Sequence, residues 1–277
     1  MQSNVGKFFI FCLALSLLSG CGFKVQIGSQ ENKEMELEQV RKTAEQGDAE
    51  SQRSLGIRYY QGIDVAQDYE EAVKWFRKAA EQGVAEAQHN LGVCYKDGTG
   101  VAQDDEKAAE WFRKAAEQGY VDAQYYLGFC YHEGIGVAQD GGEAVKWHHK
   151  AAEQGHAGAQ SNLGVCYTHG IGVAQDDVKA AEWYRKAAEQ GDVKSQHNLG
   201  VYYLQGYGVE KDNEKAAEWF RKAAEQGFAS SQSILGACYA QGTGVEQDDE
   251  KATEWFRKAA EQGNESAIEQ LKKREEQ

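Results

Sequence analysis

Along most of the chain, apolar residues fall in pairs of short stripes at helical spacing. In Val84–Gly119 the first stripe is Ala87, Leu91, Cys94 and Tyr95. Steps of four, three and one place all four on one face of a helix. The second stripe is Ala108, Trp111, Phe112, Ala115 and Ala116. Between them lies Gly98-Thr99-Gly100-Val101. Gly98 suits the left-handed conformation that closes a helix, and Val101 is predicted to tuck into the core as the chain turns. Asp104 stands where an N-cap is needed, with Asp105 and Glu106 in the favourable first turn. Gly119 ends the second helix.

This pair of stripes recurs. The six tryptophans of the chain, Trp75, Trp111, Trp147, Trp183, Trp219 and Trp255, each follow the last by 36 residues. A fixed period of that size marks a stacked repeat protein. The pattern predicts an all-α solenoid of helix-turn-helix repeats. Six full units span 48–263, with capping half-units at 34–47 and 264–277, which makes fourteen helices. Gly56, Gly92, Gly128, Gly164, Gly200 and Gly236 share one repeat position inside the first helix. Glycine is costly there, so a close helix crossing is expected, with tryptophan and the Tyr95-type residue filling the gap. The absence of proline fits a chain built almost wholly of helices.

The formal net charge of −14 over 277 residues argues against nucleic acid as a partner. A monomer is expected. Residues 1–20 form a separate object. Lys7 precedes the apolar run Phe8–Leu15, continuing to Leu17-Leu18, too short to span a membrane and shaped like a signal-peptide core. It ends in Leu18-Ser19-Gly20-Cys21, which resembles the lipobox of bacterial lipoproteins. That resemblance implies cleavage after Gly20 and lipid on Cys21, holding the protein on a bilayer. Gly22 in place of aspartate implies the outer membrane of the cell envelope, with surface exposure an open alternative. Residues 21–33 are polar without apolar period and are predicted to be a flexible tether.

The unit resembles the Sel-one-like repeat, a relative of the tetratricopeptide repeat. The likeness rests on Ala87, Gln88, Leu91-Gly92, Tyr95, Gly98, Gly100-Val101, Asp104, Lys107-Ala108, Trp111 and Lys114–Gly119. It implies an α/α superhelix that binds other proteins, in bacteria as an envelope adaptor or host-interaction factor. A cysteine-rich branch of the family is linked to β-lactam binding or hydrolysis. Its paired cysteines correspond to Ala80 and Gln88, so the resemblance to that branch fails at its defining feature.

Catalytic chemistry is hard to find in the residues. Cys94, Cys130, Cys166 and Cys238 share one repeat position, where Arg58 and Tyr202 stand in the other units, and core filling explains them. His132, His148, His149, His156 and His169 gather in the middle. His148 replaces the Phe112-type aromatic and reads as a packed imidazole, not a metal ligand. The Gly-rich turn recurs in every unit and is structural, and Asp104-Asp105 lacks the spacing of a calcium loop. No catalytic residue, metal or cofactor is expected.

Binding should lie where the repeats differ. On the first helix the variable positions are His89, Val93 and Lys96 in one unit and Tyr125, Phe129 and His132 in the next, with Tyr126 alongside. Ser161, Val165 and Thr168 follow in the third. In related superhelices this helix lines the concave side. An aromatic line there predicts a protein partner, an envelope or host protein whose peptide or helix docks on it. A cell-wall or exopolysaccharide chain stacking on the same rings is the alternative, and a β-lactam-directed hydrolase ranks third.

Overall fold

A computed structural model describes residues 22–275, with side chains from residue 33. Cys21 and the leader lie outside the described residues, and so do the last two. Among the described residues the chain is all-α, with fourteen helices and no strand. They are α1 Gly22–Glu45, α2 Ala49–Gln61, α3 Tyr69–Glu81, α4 Ala85–Asp97, α5 Asp105–Glu117, α6 Val121–Glu133 and α7 Gly141–Glu153. The rest are α8 Ala157–His169, α9 Asp177–Glu189, α10 Val193–Gln205, α11 Asn213–Glu225, α12 Ala229–Gln241, α13 Asp249–Glu261 and α14 Glu265–Glu275. The helices fall into two compact units, one ending at Asp104 and one beginning at Asp105. Within each unit every helix packs on the next in sequence. No described helix is long and apolar enough to cross a membrane.

Local rules set the helix ends. Asp68, Asp140, Asp176, Asp212 and Asp248 cap second helices by accepting the backbone N–H three residues on. First helices close on a left-handed glycine whose N–H reaches back four residues, as Gly98 does to Cys94. The stretch expected to be a flexible tether, 22–33, is helical here. It continues α1 from the segment that packs through Leu37 and Ala44. With no proline to interrupt it, helix propagates outward at one hydrogen bond per residue.

The glycine inside each first helix marks a close crossing, as its position predicts. The filler differs from the expected one. A Cβ on Gly200 would stand 2.8 Å from the ring of Phe220, and one on Gly56 2.6 Å from Phe76. The residue after each tryptophan therefore enters the gap. The tryptophans lie on the flank, half-buried apart from Trp147. Each carries a lysine over its ring, as Lys222 does over Trp219 at 3.8 Å. The stripe shifts by one because the Phe-type residue points along the crossing, while tryptophan reaches across to the neighbouring cluster.

Two further devices stack the repeats. Gln196 donates its amide to the Ala188 carbonyl at 3.2 Å and accepts from Gln226 at 2.8 Å. The same pair of bonds recurs at Gln52, Gln124, Gln160 and Gln232. All five glutamines are buried, so each ladder step answers a polar group that would be costly alone. In the turn, the second glycine abuts the start of a second helix. A Cβ on Gly136 would collide with the Asp105 carbonyl, and φ there is 67°. The first unit breaks this rule with Asp64 at φ 58°, held to Arg58 at 2.6 Å. Arg58 takes the position of the core cysteine, so the two departures occur together.

Candidate functional site

Each first helix offers three variable positions, and the structure treats them differently. The position of His89 is covered. His89, Ser161 and Ser233 are buried there. Ser161 accepts from Ser195 at 2.9 Å and donates to Asp192 at 3.1 Å. Tyr125 stacks on His156 at 4.4 Å between ring centres and lies edge-on to Tyr126 at 5.4 Å. The sequence reading placed His89 on an open surface, and this is corrected; Tyr125 is half-buried, as Phe129 is, with one face against His156. A residue in the first turns of one first helix is roofed by the start of the next, as Gly158 and His156 roof Tyr125.

Tyr126 also turns inward, stacked on Phe112 at 5.1 Å with planes 13° apart. The other two positions remain half-buried: Val93 and Lys96 in α4, Phe129 and His132 in α6. Lys96 pairs with Asp97 at 2.6 Å, and His132 sits 3.6 Å from Glu133. The surface that stays available on α6 is therefore Phe129 and His132 with one edge of Tyr125.

The histidines divide by environment. His148 is fully buried at the Gly128 crossing, as a packed imidazole should be. Its Nε2 accepts from Asn162 at 3.3 Å, which leaves the proton on Nδ1, and Nδ1 has no partner. Burial, aided by His132 and His156, pushes its pKa down to about 3. His149 takes the place of an arginine: Arg113 and Arg185 reach Tyr131 and Tyr203, and His149 meets Tyr167 at 3.2 Å. His156 caps α8 by accepting from Ala159. Among the described residues no His, Cys, Asp and Glu cluster is gathered for a metal ion.

Six consecutive segments, 49–84, 85–120, 121–156, 157–192, 193–228 and 229–264, match the Sel1 repeat. The chain belongs to the Sel1 repeat family. Its fold is similar to that of c5321, a protective antigen present in uropathogenic Escherichia coli strains, at 46% identity and TM-score 0.81. That match covers 83% of this chain and 50% of the antigen, so the chain spans about half the antigen's length. It is also similar to a Sel1 repeat protein from Oxalobacter formigenes, at 33% identity and TM-score 0.73, covering 85% of this chain and 94% of that one. No curated protein matches it. Sel1 repeat proteins generally mediate protein–protein interaction and are typically non-catalytic scaffolds.

The thiols of this Sel1 chain agree with a packing role. Cys94, Cys130, Cys166 and Cys238 are buried and form no disulfide. Burial pushes the Cys94 thiol up to about 12 and Cys166 to about 11. Such groups hold almost no thiolate at neutral pH and make poor nucleophiles.

Proposed function

We propose that this Sel1 protein is a non-catalytic adaptor held by lipid on Cys21 at the bacterial envelope, outer membrane rather than inner. It binds a protein partner along half-buried residues of its first helices. One observation carries the reading: packing positions repeat from α6 to α8, while Phe129 and His132 give way to Val165 and Thr168 at the same variable positions. The relative that is a protective antigen supports a location that the host can reach.

Capture on the full chain from envelope extract and from host-cell lysate tests it. A partner should be retained by the native chain and lost with the Tyr125→Ala, Phe129→Ala, His132→Ala triple variant, whose helix content is checked alongside. Retention by both chains would remove this surface. Radiolabelled palmitate should enter the native chain and not Cys21→Ser, and equal labelling would remove the anchor.

A further inference from the structure

A groove of about 500 Å³ lies between α8, the start of α9, α10 and the turn after α10. Three repeat positions there depart from the pattern together, beside Thr168 at a position that varies in every unit. Tyr184 stands where other units have mostly phenylalanine, Tyr202 where they have mostly cysteine, and Tyr207 where they have threonine or isoleucine.

Hydrogen bonding fixes what the groove wants. Thr168 donates its single hydroxyl proton to the Gly164 carbonyl at 2.8 Å. It must therefore accept from Tyr202 at 2.6 Å and from Tyr184 at 3.2 Å. Both phenol protons are spent on Thr168, so only acceptor capacity remains at those oxygens. Asn198 bonds Tyr184. Asp177 adds a carboxylate. Its neighbour Asp176 pairs with Lys179 at 3.1 Å, but Asp177 has no ion-pair partner among the described residues. Neither lysine nor arginine lines the groove. His169, Gln175 and Asn198 bring donors to other parts of the lining, and Asp177 is its one carboxylate.

Tyr207 supplies a flat face. It is 50% exposed and is held edge-on against Tyr202 at 5.8 Å. Gly208, at φ 58°, brings the turn against the Asp177 backbone so closely that a Cβ would collide with it. Ring and carboxylate thus line one groove whose backbone is tied together at Gly208 and Asp177.

We infer that this groove receives an arginine side chain of the protein partner, its guanidinium stacked on Tyr207 and donating to Asp177. Guanidinium is planar and carries five donors and no acceptor, which matches a flat ring and a carboxylate without an ion-pair partner in one groove. The net charge of −14 favours a basic segment further. The inference rests on the protein-binding reading above.

Saturation-transfer NMR on the full chain, with an acetylated and amidated Gly-Ser-Arg-Ser-Gly peptide as probe, tests it. Saturation should reach the arginine side-chain protons. Tyr207→Ala and Asp177→Asn, both at the surface, should each weaken it about fivefold or more. Tyr207→Phe should retain it. The peptide with neutral citrulline should bind weakly. Equal signals from arginine and citrulline, or from arginine and lysine peptides, would overturn the assignment. So would a native signal in both Tyr207→Ala and Asp177→Asn. Loss of this binding with partner capture intact defeats only the groove. An arginine-binding groove with no captured partner defeats the adaptor reading.

Discussion

His148 and Tyr184 occupy the same repeat position, and the protein treats them in opposite ways. Each replaces the phenylalanine that fills a glycine crossing, at Gly128 and Gly164 respectively. His148 buries a ring nitrogen with no partner. Tyr184 is buried as well, yet its hydroxyl meets Thr168, which also binds Tyr202. A polar ring in a core is a liability or a device according to whether each of its polar atoms is answered. At Tyr184 the answering residues also open a groove.

Removing each ring gives the largest test of that contrast. Tyr184→Ala should cost about 3–5 kcal/mol in urea unfolding, as for other large core aromatics. His148→Ala should cost less by about 1 kcal/mol or more, because the cavity comes with relief of an orphaned donor. Equal losses would break the comparison.

Filling the His148 site with phenylalanine comes next. His148→Phe should stabilise by about 1–3 kcal/mol at neutral pH by removing the unsatisfied N–H. It should also flatten the acid response. The folded pKa of about 3 lies below the ordinary 6.5, so between these values the unfolded chain binds the proton and the folded chain does not. Native stability therefore falls as pH drops through that window, by up to about 1.4 kcal/mol per pH unit, with nothing contributed above it. The N-cap aspartates Asp176, Asp212 and Asp248 sit below their ordinary range and act only in more acid solution. Unfolding of both chains between pH 6.5 and pH 4.5 isolates the imidazole. Parallel curves would show that His148 finds a partner.

The smallest effect is expected from Tyr184→Phe. It keeps the ring and removes one hydroxyl, so stability should fall by about 0.5–1.5 kcal/mol. No loss would mean that the Thr168 network contributes nothing to the crossing.

Much of the architecture was legible from the residues. The period, the turn glycines and the aspartate caps are local, and each constrains the backbone wherever it occurs. Gln52, Gln88, Gln124, Gln160, Gln196 and Gln232 keep one repeat position, but that regularity alone does not mark a buried ladder, whose bonding partners lie in other helices. The candidate surface was read less well. Helical periodicity separates the faces of one helix, but not which part of a face the neighbouring repeat covers. His89 looked open for that reason, and tryptophan was credited with the gap that Phe220 and its equivalents fill.

The sequence by itself determined an all-α array of 36-residue helical hairpins. Short-range spacing, caps and glycines are enough to specify it. Only the tertiary structure decided that Tyr125 lies under His156, that His148 is orphaned, and that Thr168, Asp177, Tyr202 and Tyr207 line one groove. Those outcomes depend on side chains from different helices meeting, or failing to meet, in space. No periodicity within a single helix encodes such meetings.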